Sequence, residues 1–147
     1  MGSGTEQSAH KDVVLQFAKA VSANDRAGIS DVLHPEATWT AMVINDYSDG
    51  IQCYGEGGNV FDREGTLDML TQFQQMLVTP PGFTVEILSM VAEGDTVAVE
   101  ARGDCTSSAG RRYHNRYSYH LEFKDGLIFR GREYQDTLHT WDVWMRS

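Results

Sequence analysis

Cysteine is scarce in this chain. There are two, Cys53 and Cys105, far apart and with no Cys-x-x-Cys anywhere. That excludes a disulfide framework and the usual zinc-ligand spacing, and it fits two free thiols in a reducing cytoplasm. Positive charge is also short: 12 basic residues stand against 21 acidic ones, a net charge of −9. Nucleic acids and anionic membranes need a basic footprint, so neither is expected as a partner. No apolar run reaches the length of a membrane span. The stretch Met1–Asp12 is polar and lacks the apolar segment of a secretory signal. Met1-Gly2 is not followed by Ser or Thr at position 6, which is Glu6, so myristoylation is not expected. The glycines at 55, 57 and 58 have neither the spacing nor the preceding strand of a phosphate loop. Asp46 and Asp49 have no nearby His, Cys or third acid, so no metal site is expected. No cofactor is implied by any of this.

What remains is an ordinary globular composition, 41% hydrophobic and 10% aromatic, in 147 residues. That is enough for one domain with a sizeable core. Residues 1–8 are expected as a disordered N-terminus or cloning remnant, and residues 9–147 as a single domain. Val13, Val14, Phe17, Ala18 and Val21 recur at helical spacing. Asn24-Asp25 breaks that helix, and Asp25 caps a second, short one with Ile29, Val32 and Leu33 inward. Pro35 ends it by forcing His34 out of helical geometry. Ala37 to Val43 reads as a strand. Ile44 to Val60 is polar and rich in turn residues, a long loop of the kind that serves as a lid or a surface excursion. Asp62 caps a third helix with Leu67, Leu70, Phe73 and Leu77 as its stripe, stopped by Pro80-Pro81-Gly82. Strands follow at Phe83–Glu93, Thr96–Cys105, Arg112–Phe123 and Leu127–Thr137. Helices followed by a run of strands indicate an α+β fold with a largely antiparallel sheet.

The last hairpin can be registered from its side chains. A three-residue loop, Lys124-Asp125-Gly126, sets Leu121 opposite Phe129, Tyr119 opposite Gly131, Tyr117 opposite Glu133 and Asn115 opposite Gln135. A two-residue loop would set Leu121 against Arg130 and mix the faces, so the longer loop is expected. One face is then apolar near the turn and polar at its far end. Glu133 on such a face has the pattern of a pocket carboxylate whose pKa is raised by desolvation. The alternative is a strand-end Glu reaching solvent. His114 and His120 fall on the opposite face. His139 follows the last strand and could reach the pocket mouth as a proton shuttle or simply bond to backbone. Trp39, Trp141 and Trp144 could line the pocket, the last two equally an interface.

Arg102 and Asp104 lie two apart on one strand and share a face. If that face meets Glu133, a cation between two carboxylates splits them into a neutral acid and a charged base. Simple alternation argues otherwise, because Val97, Val99, Ala101 and Cys105 occupy the other face. Both demands are met if the sheet is covered on both faces, one by helices and one by a second copy, giving a homodimer.

Three segments carry a resemblance: Tyr113-His114-Asn115-Arg116-Tyr117, Phe123-Lys124-Asp125-Gly126-Leu127-Ile128, and Arg132-Glu133-Tyr134-Gln135-Asp136-Thr137-Leu138-His139. With His34-Pro35-Glu36-Ala37-Thr38-Trp39 and the preceding helices they resemble the SnoaL-like family of the nuclear-transport-factor-2-like superfamily. The resemblance covers nearly all of the chain past residue 10. It implies a cone-shaped half-barrel, with N-terminal helices on a curved mixed or antiparallel sheet around one small-molecule pocket. Ketosteroid isomerase chemistry is not implied, since its base, oxyanion Tyr and protonated Asp fall near Ala41, Phe17 and Tyr119. Limonene-epoxide hydrolase is similar at Arg102-Gly103-Asp104 and Glu133, but its water-holding Tyr and Asn fall at Trp39 and Ala41. The resemblance therefore implies a cofactor-independent isomerase, polyketide cyclase or dehydratase (a lyase) acting on a small hydrophobic polyketide-, terpenoid- or steroid-like substrate. Epoxide hydrolysis and a non-catalytic binding module are the alternatives. The expected catalytic residues are Glu133, Asp104 and Arg102. The expected substrate-binding residues are Tyr117, Asn115, Trp39, Gln135, His139, Phe17 and Tyr119.

Overall fold

The computed structural model describes residues 4–41 and 60–146, with the side chains of residues 75–77 excepted. The expected 44–60 loop, with Asp46, Asp49 and Cys53, lies outside the described residues apart from Val60. Elements run α1 (Gly4–Ser22), α2 (Arg26–Val32), β1 (Leu33–Thr40), β2 (Val60–Phe61), α3 (Arg63–Leu77), β3 (Thr84–Glu93), β4 (Thr96–Thr106), β5 (Arg112–Lys124), β6 (Leu127–Gln135) and α4 (Thr137–Trp144). The six strands form one open, mixed sheet in the order β2-β1-β6-β5-β4-β3. Among the described strands, only β1 and β6 pair in parallel. The fold class is α+β, as expected.

Local chemistry explains most of the boundaries. α1 buries Val14, Phe17, Ala18 and Val21 along one stripe. Residues 4–8, expected as part of a disordered N-terminus, are the first turns of this helix. Asp25 caps α2, its carboxylate accepting from the Gly28 N–H at 3.0 Å. Asp62 caps α3 in the same way, from the Gly65 N–H at 2.8 Å. Each cap contributes about 1 kcal/mol. The chain turns extended at Leu33, four residues earlier than the Ala37 expected. His34 precedes Pro35 and is confined to extended backbone, so the strand starts where the helix stops.

Two corrections concern the C-terminal third. The strand expected to reach Thr137 ends at Gln135, and Asp136 is the N-cap of α4, accepting from the His139 N–H at 3.1 Å. That helix has only 8 residues, including Thr, His and two Trp, so propensity hardly announces it. The hairpin turn is Asp125-Gly126, both at positive φ, 54° and 76°. Lys124 pairs with Leu127 and Phe123 with Ile128, a two-residue loop. An irregularity after Ile128 then gives β6 one extra residue. Beyond it Leu121 pairs with Gly131, Tyr119 with Glu133 and Tyr117 with Gln135. The shorter turn flips the faces and the bulge flips them back. The expected parity survives, while each pairing shifts by two residues.

The sheet alternates cleanly. On β4, Val97, Val99, Ala101 and Cys105 are buried; on β5, Tyr113, Asn115, Tyr117, Tyr119, Leu121 and Phe123 are buried. This concave face meets the helices, with α1 against β3, α3 against β1 and α4 against β5. The convex face carries a ladder of exposed ion pairs: Arg102–Glu86, Arg112–Asp104, Arg116–Glu100 and Arg132–Glu122. Among the described residues, no helix is long and apolar enough to cross a membrane.

Candidate functional site

A cavity of about 450 Å³ lies between the concave sheet and the helices. Its walls come from every layer. α1 supplies Phe17 and Val21, and β1 supplies Trp39 and Ala41 at its end. α3 supplies Met69, Leu70 and Phe73. The sheet supplies Phe83, Tyr113, Tyr117, Tyr119, Glu133 and Gln135, and α4 supplies Thr140 and Trp144.

Two glycines make this packing possible. Trp39 and Gly131 are cross-strand partners on β1 and β6. A Cβ at Gly131 would fall 2.1 Å from Trp39 Cε3, so the indole lies flat over the glycine backbone. Trp39 is 1% exposed and packs between Phe17 (ring centroids 5.4 Å) and Tyr119 (5.9 Å). On β4, a Cβ at Gly103 would lie 2.6 Å from Phe83 and 2.8 Å from Tyr117. The close approach of rings to bare backbone is what only glycine permits there. Tyr117 and Tyr119 stack with ring planes 2° apart at 5.5 Å.

Glu133 sits in this aromatic frame, two residues beyond Gly131 on the same face of β6. It is the one carboxyl among the described lining residues, and no Lys, Arg or His accompanies it. Its side chain is half-buried at the cavity wall, and the carboxyl is strongly desolvated. Burial pushes its pKa up to about 7. The Trp39 indole N–H pulls the other way, favouring the ionised form. That N–H is buried and meets no acceptor in good hydrogen-bond geometry among the described residues, so its approach to Glu133 is loose. Near neutral pH both protonation states of Glu133 are populated.

A second polar group occupies the β5–α4 side. The Tyr113 and Tyr117 hydroxyls are 2.5 Å apart, and Tyr113 also reaches Gln135 Oε1 at 3.1 Å. Burial raises the pKa of all three cavity tyrosines, so each stays neutral and able to donate. Asn115 backs this group without reaching the cavity. It is 1% exposed, and its amide donates to Tyr113 Oη, Thr140 Oγ1 and the Asp136 carbonyl, each at 3.0 Å. Its role is to tie β5 to the cap of α4.

The structure separates the expected catalytic trio. Arg102 and Asp104 occupy the convex face, opposite to Glu133. Arg102 pairs with Glu86. Asp104 accepts from Arg112 at 2.8 Å and meets His114 Nδ1 at 2.9 Å, and these two partners, Arg112 first, hold its carboxyl below its usual range. Strand alternation decides this: with Val97, Val99, Ala101 and Cys105 in the core, residues 102 and 104 must face outward. The Cys105 thiol is pushed up to about 11 by burial and by the nearby Asp104 charge, which makes it a packing group and not a nucleophile. Tyr117, Trp39, Gln135, Phe17 and Tyr119 line the cavity. Asn115 and His139 do not. His139 stacks on Tyr113 at 5.4 Å and accepts the His114 N–H at 3.1 Å through Nε2. The α3 residues were legible as a core stripe but not as cavity wall. Tyr113 shares parity with Tyr117 and could have been found by it; Thr140 could not, because α4 was not foreseen. Among the described residues, no group of three His, Cys, Asp or Glu could hold a metal.

The same architecture occurs in solved proteins. IdmH, a proposed polyketide cyclase from Streptomyces antibioticus, is 20% identical with a TM-score of 0.72, over 91% of this chain and 96% of that one. TerC, co-crystallised with polyporic acid, is 20% identical with a TM-score of 0.73, over 92% and 97%. An epoxide hydrolase of M. tuberculosis, similar to limonene-epoxide hydrolase, is 19% identical with a TM-score of 0.66, over 96% and 92%. At these identities the likeness shows the fold alone. No curated protein matches the chain significantly. The SnoaL-like domain family matches residues 14–131, and with its nuclear-transport-factor-2-like half-barrel the chain belongs to that family.

Proposed function

We propose that this protein is a cofactor-independent acid–base enzyme, an isomerase, cyclase or dehydratase, that moves a proton on a small hydrophobic polyketide-, terpenoid- or steroid-like substrate. The observation that carries this reading is Glu133: a carboxyl at a pKa of about 7, inside an aromatic cavity and away from any cation among the described lining residues. A general base or acid works best when its pKa lies near the working pH, because both the required protonation state and the driving force are then available. Ionised Glu133 takes a proton from a carbon next to an electron-withdrawing group. The neutral acid so formed returns that proton to another atom of the same substrate, or to a leaving oxygen. One carboxyl serves both steps, and no second acid is needed.

The outward turn of Arg102 and Asp104 narrows the choice of reaction. Epoxide opening by activated water calls for several polar groups around the water, and the two expected helpers are on the other face. The polyketide and polyporic-acid associations of IdmH and TerC favour a ring-bearing substrate for this cavity. A homodimer through the convex face is part of the same proposal. Its support is Val91 and Tyr134, 68% and 42% exposed amid the paired charges, and sedimentation at several protein concentrations measures it.

The test is Glu133→Gln, which keeps shape and removes the titrating group. Assayed against a panel of enolisable ring ketones, wild-type protein is expected to catalyse proton exchange, and the variant to lose about 10²–10⁴-fold in rate. Equal rates in a folded variant would refute the reading.

A further inference from the structure

Three tyrosines line the cavity, and the hydrogen bonds among them engage two of the hydroxyls. The Tyr113 hydroxyl donates its one hydrogen to Gln135 Oε1 at 3.1 Å and accepts from Asn115 Nδ2 at 3.0 Å. The hydrogen in the 2.5 Å contact between Tyr113 and Tyr117 is therefore that of Tyr117, which has none left to offer a ligand. Tyr119 is different. Its ring lies parallel to that of Tyr117, 2° apart at 5.5 Å, and packs on Trp39 at 5.9 Å. The residue is 8% exposed, yet its hydroxyl makes no hydrogen bond among the described residues. Nor is that hydroxyl sealed in. The described side-chain polar atoms that are both enclosed and unpartnered belong to His10, Asn24, Trp39 and Arg63, so the Tyr119 oxygen opens onto the cavity that its residue lines. The cross-strand partner of Tyr119 is Glu133. Opposed residues on one face set their Cβ atoms about 4.5–5.5 Å apart, so the two side chains leave the sheet side by side. Burial first, and the Glu133 charge after it, raise the Tyr119 pKa well above its ordinary value, so the hydroxyl keeps its hydrogen beside the ionised base.

We propose that Tyr119 is a further catalytic residue, whose hydroxyl holds the carbonyl oxygen of a neutral, enolisable ketone while Glu133 takes the proton from the adjacent carbon. The inference rests on the reading of Glu133 as the base. The pairing suits that chemistry because a carbonyl and its acidic C–H occupy neighbouring carbons, so donor and base must be neighbours too. In the step, the Glu133 carboxylate takes the proton, the C–H electron pair becomes the C=C bond of an enolate, and the carbonyl π pair moves onto oxygen. Tyr119 keeps its proton throughout and donates a hydrogen bond that strengthens as the oxygen gains charge. Neutral Glu133 then returns the proton to the substrate. The ligand is neutral because no cation lines the described walls and a carboxylate beside Glu133 would be buried without a counter-charge. It bears a carbonyl because an acceptor oxygen gives the Tyr119 hydroxyl the partner it lacks, while a hydrocarbon leaves it buried and unpaired.

The test uses β-tetralone, a bicyclic ketone, and tetralin, the hydrocarbon of nearly the same shape. Binding is followed by the fluorescence of Trp39 and Trp144, which line the cavity. Wild-type protein is expected to prefer the ketone by about tenfold, one hydrogen bond's worth, a comparison that needs no variant. Tyr119→Phe keeps the stacked ring and is expected to remove most of that preference while tetralin affinity stays within about twofold, an effect that a mere loss of packing would not produce. Proton exchange from β-tetralone in heavy water is expected to slow about 10²-fold in the same variant. A ketone preference absent in wild type overturns the proposal. So does one retained in Tyr119→Phe, which would place the carbonyl on another donor such as the Gln135 amide. The exchange rates separate this proposal from the assignment of Glu133. Exchange that is absent in wild type while the preference depends on Tyr119 refutes the acid–base reading and leaves Tyr119 as the carbonyl site. Exchange that is lost in Glu133→Gln but unchanged in Tyr119→Phe refutes the role of Tyr119 alone.

Discussion

The residue that concentrates the chemistry here is a half-buried glutamate whose carboxyl is strongly desolvated. Its position also has a thermodynamic consequence. Glu133 has a folded pKa of about 7, above the 4.5 of an ordinary glutamate. A raised carboxyl pKa means that the folded state binds more protons than the unfolded chain between those two values. Stability therefore falls as pH rises through that window, and the loss is complete above the folded pKa. The expected loss is on the order of 3 kcal/mol. Urea unfolding at pH 5 and pH 8 checks this: Glu133→Gln should flatten the difference seen in wild type and be the more stable protein at pH 8. An unchanged pH dependence in the variant would mean that the carboxyl is solvated.

At the scale of elements, the site depends on how closely β1 crosses β6. The Trp39 indole covers the Gly131 backbone, and it is this contact that brings its N–H toward Glu133. Gly131→Ala forces a methyl into the ring, 2.1 Å from Cε3. Overpacking of this kind costs about 1–3 kcal/mol, and the shift of the indole should alter the pKa of Glu133 along with stability. Thermal unfolding together with the pH dependence of proton exchange measures both. A variant that unfolds as wild type does would show that Trp39 has room to move. The β5–β6 hairpin teaches a related lesson. Asp125-Gly126 was visible as a turn, but the tight two-residue form and the compensating bulge before Arg130 were not. Parity came out right because two irregularities cancel in it, and only backbone geometry reveals either one.

For the whole molecule, the sheet divides the protein into a proton-handling inside and an ion-paired outside. Arg102 and Asp104 belong to the outside. Exposed pairs contribute about 0–1 kcal/mol each. Arg102→Ala and Asp104→Ala are therefore expected to leave turnover unchanged and to shift stability by less than about 1 kcal/mol. A large loss of turnover in either would return them to the mechanism.

The amino-acid sequence alone determined the elements with strong local signals. Asp25 and Asp62 cap helices because a carboxylate can reach the free N–H groups of a first turn. Pro35 and Pro80-Pro81 end segments because proline cannot continue them. Alternation on β4, β5 and β6 sorted side chains into two faces, and along the last hairpin it placed Glu133 on the face of Tyr117 and Tyr119. The family was legible in the same strands. What only the tertiary structure decided is which face closes over a cavity and which meets solvent. Arg102 and Asp104 were tempting because their chemistry suits a site, yet burial follows from what packs across the sheet, and among the described residues helices cover only one side of it. The short α4 and the place of Thr140 in the wall were equally beyond local reading, since a two-turn helix owes its stability to contacts with β5 rather than to its own residues.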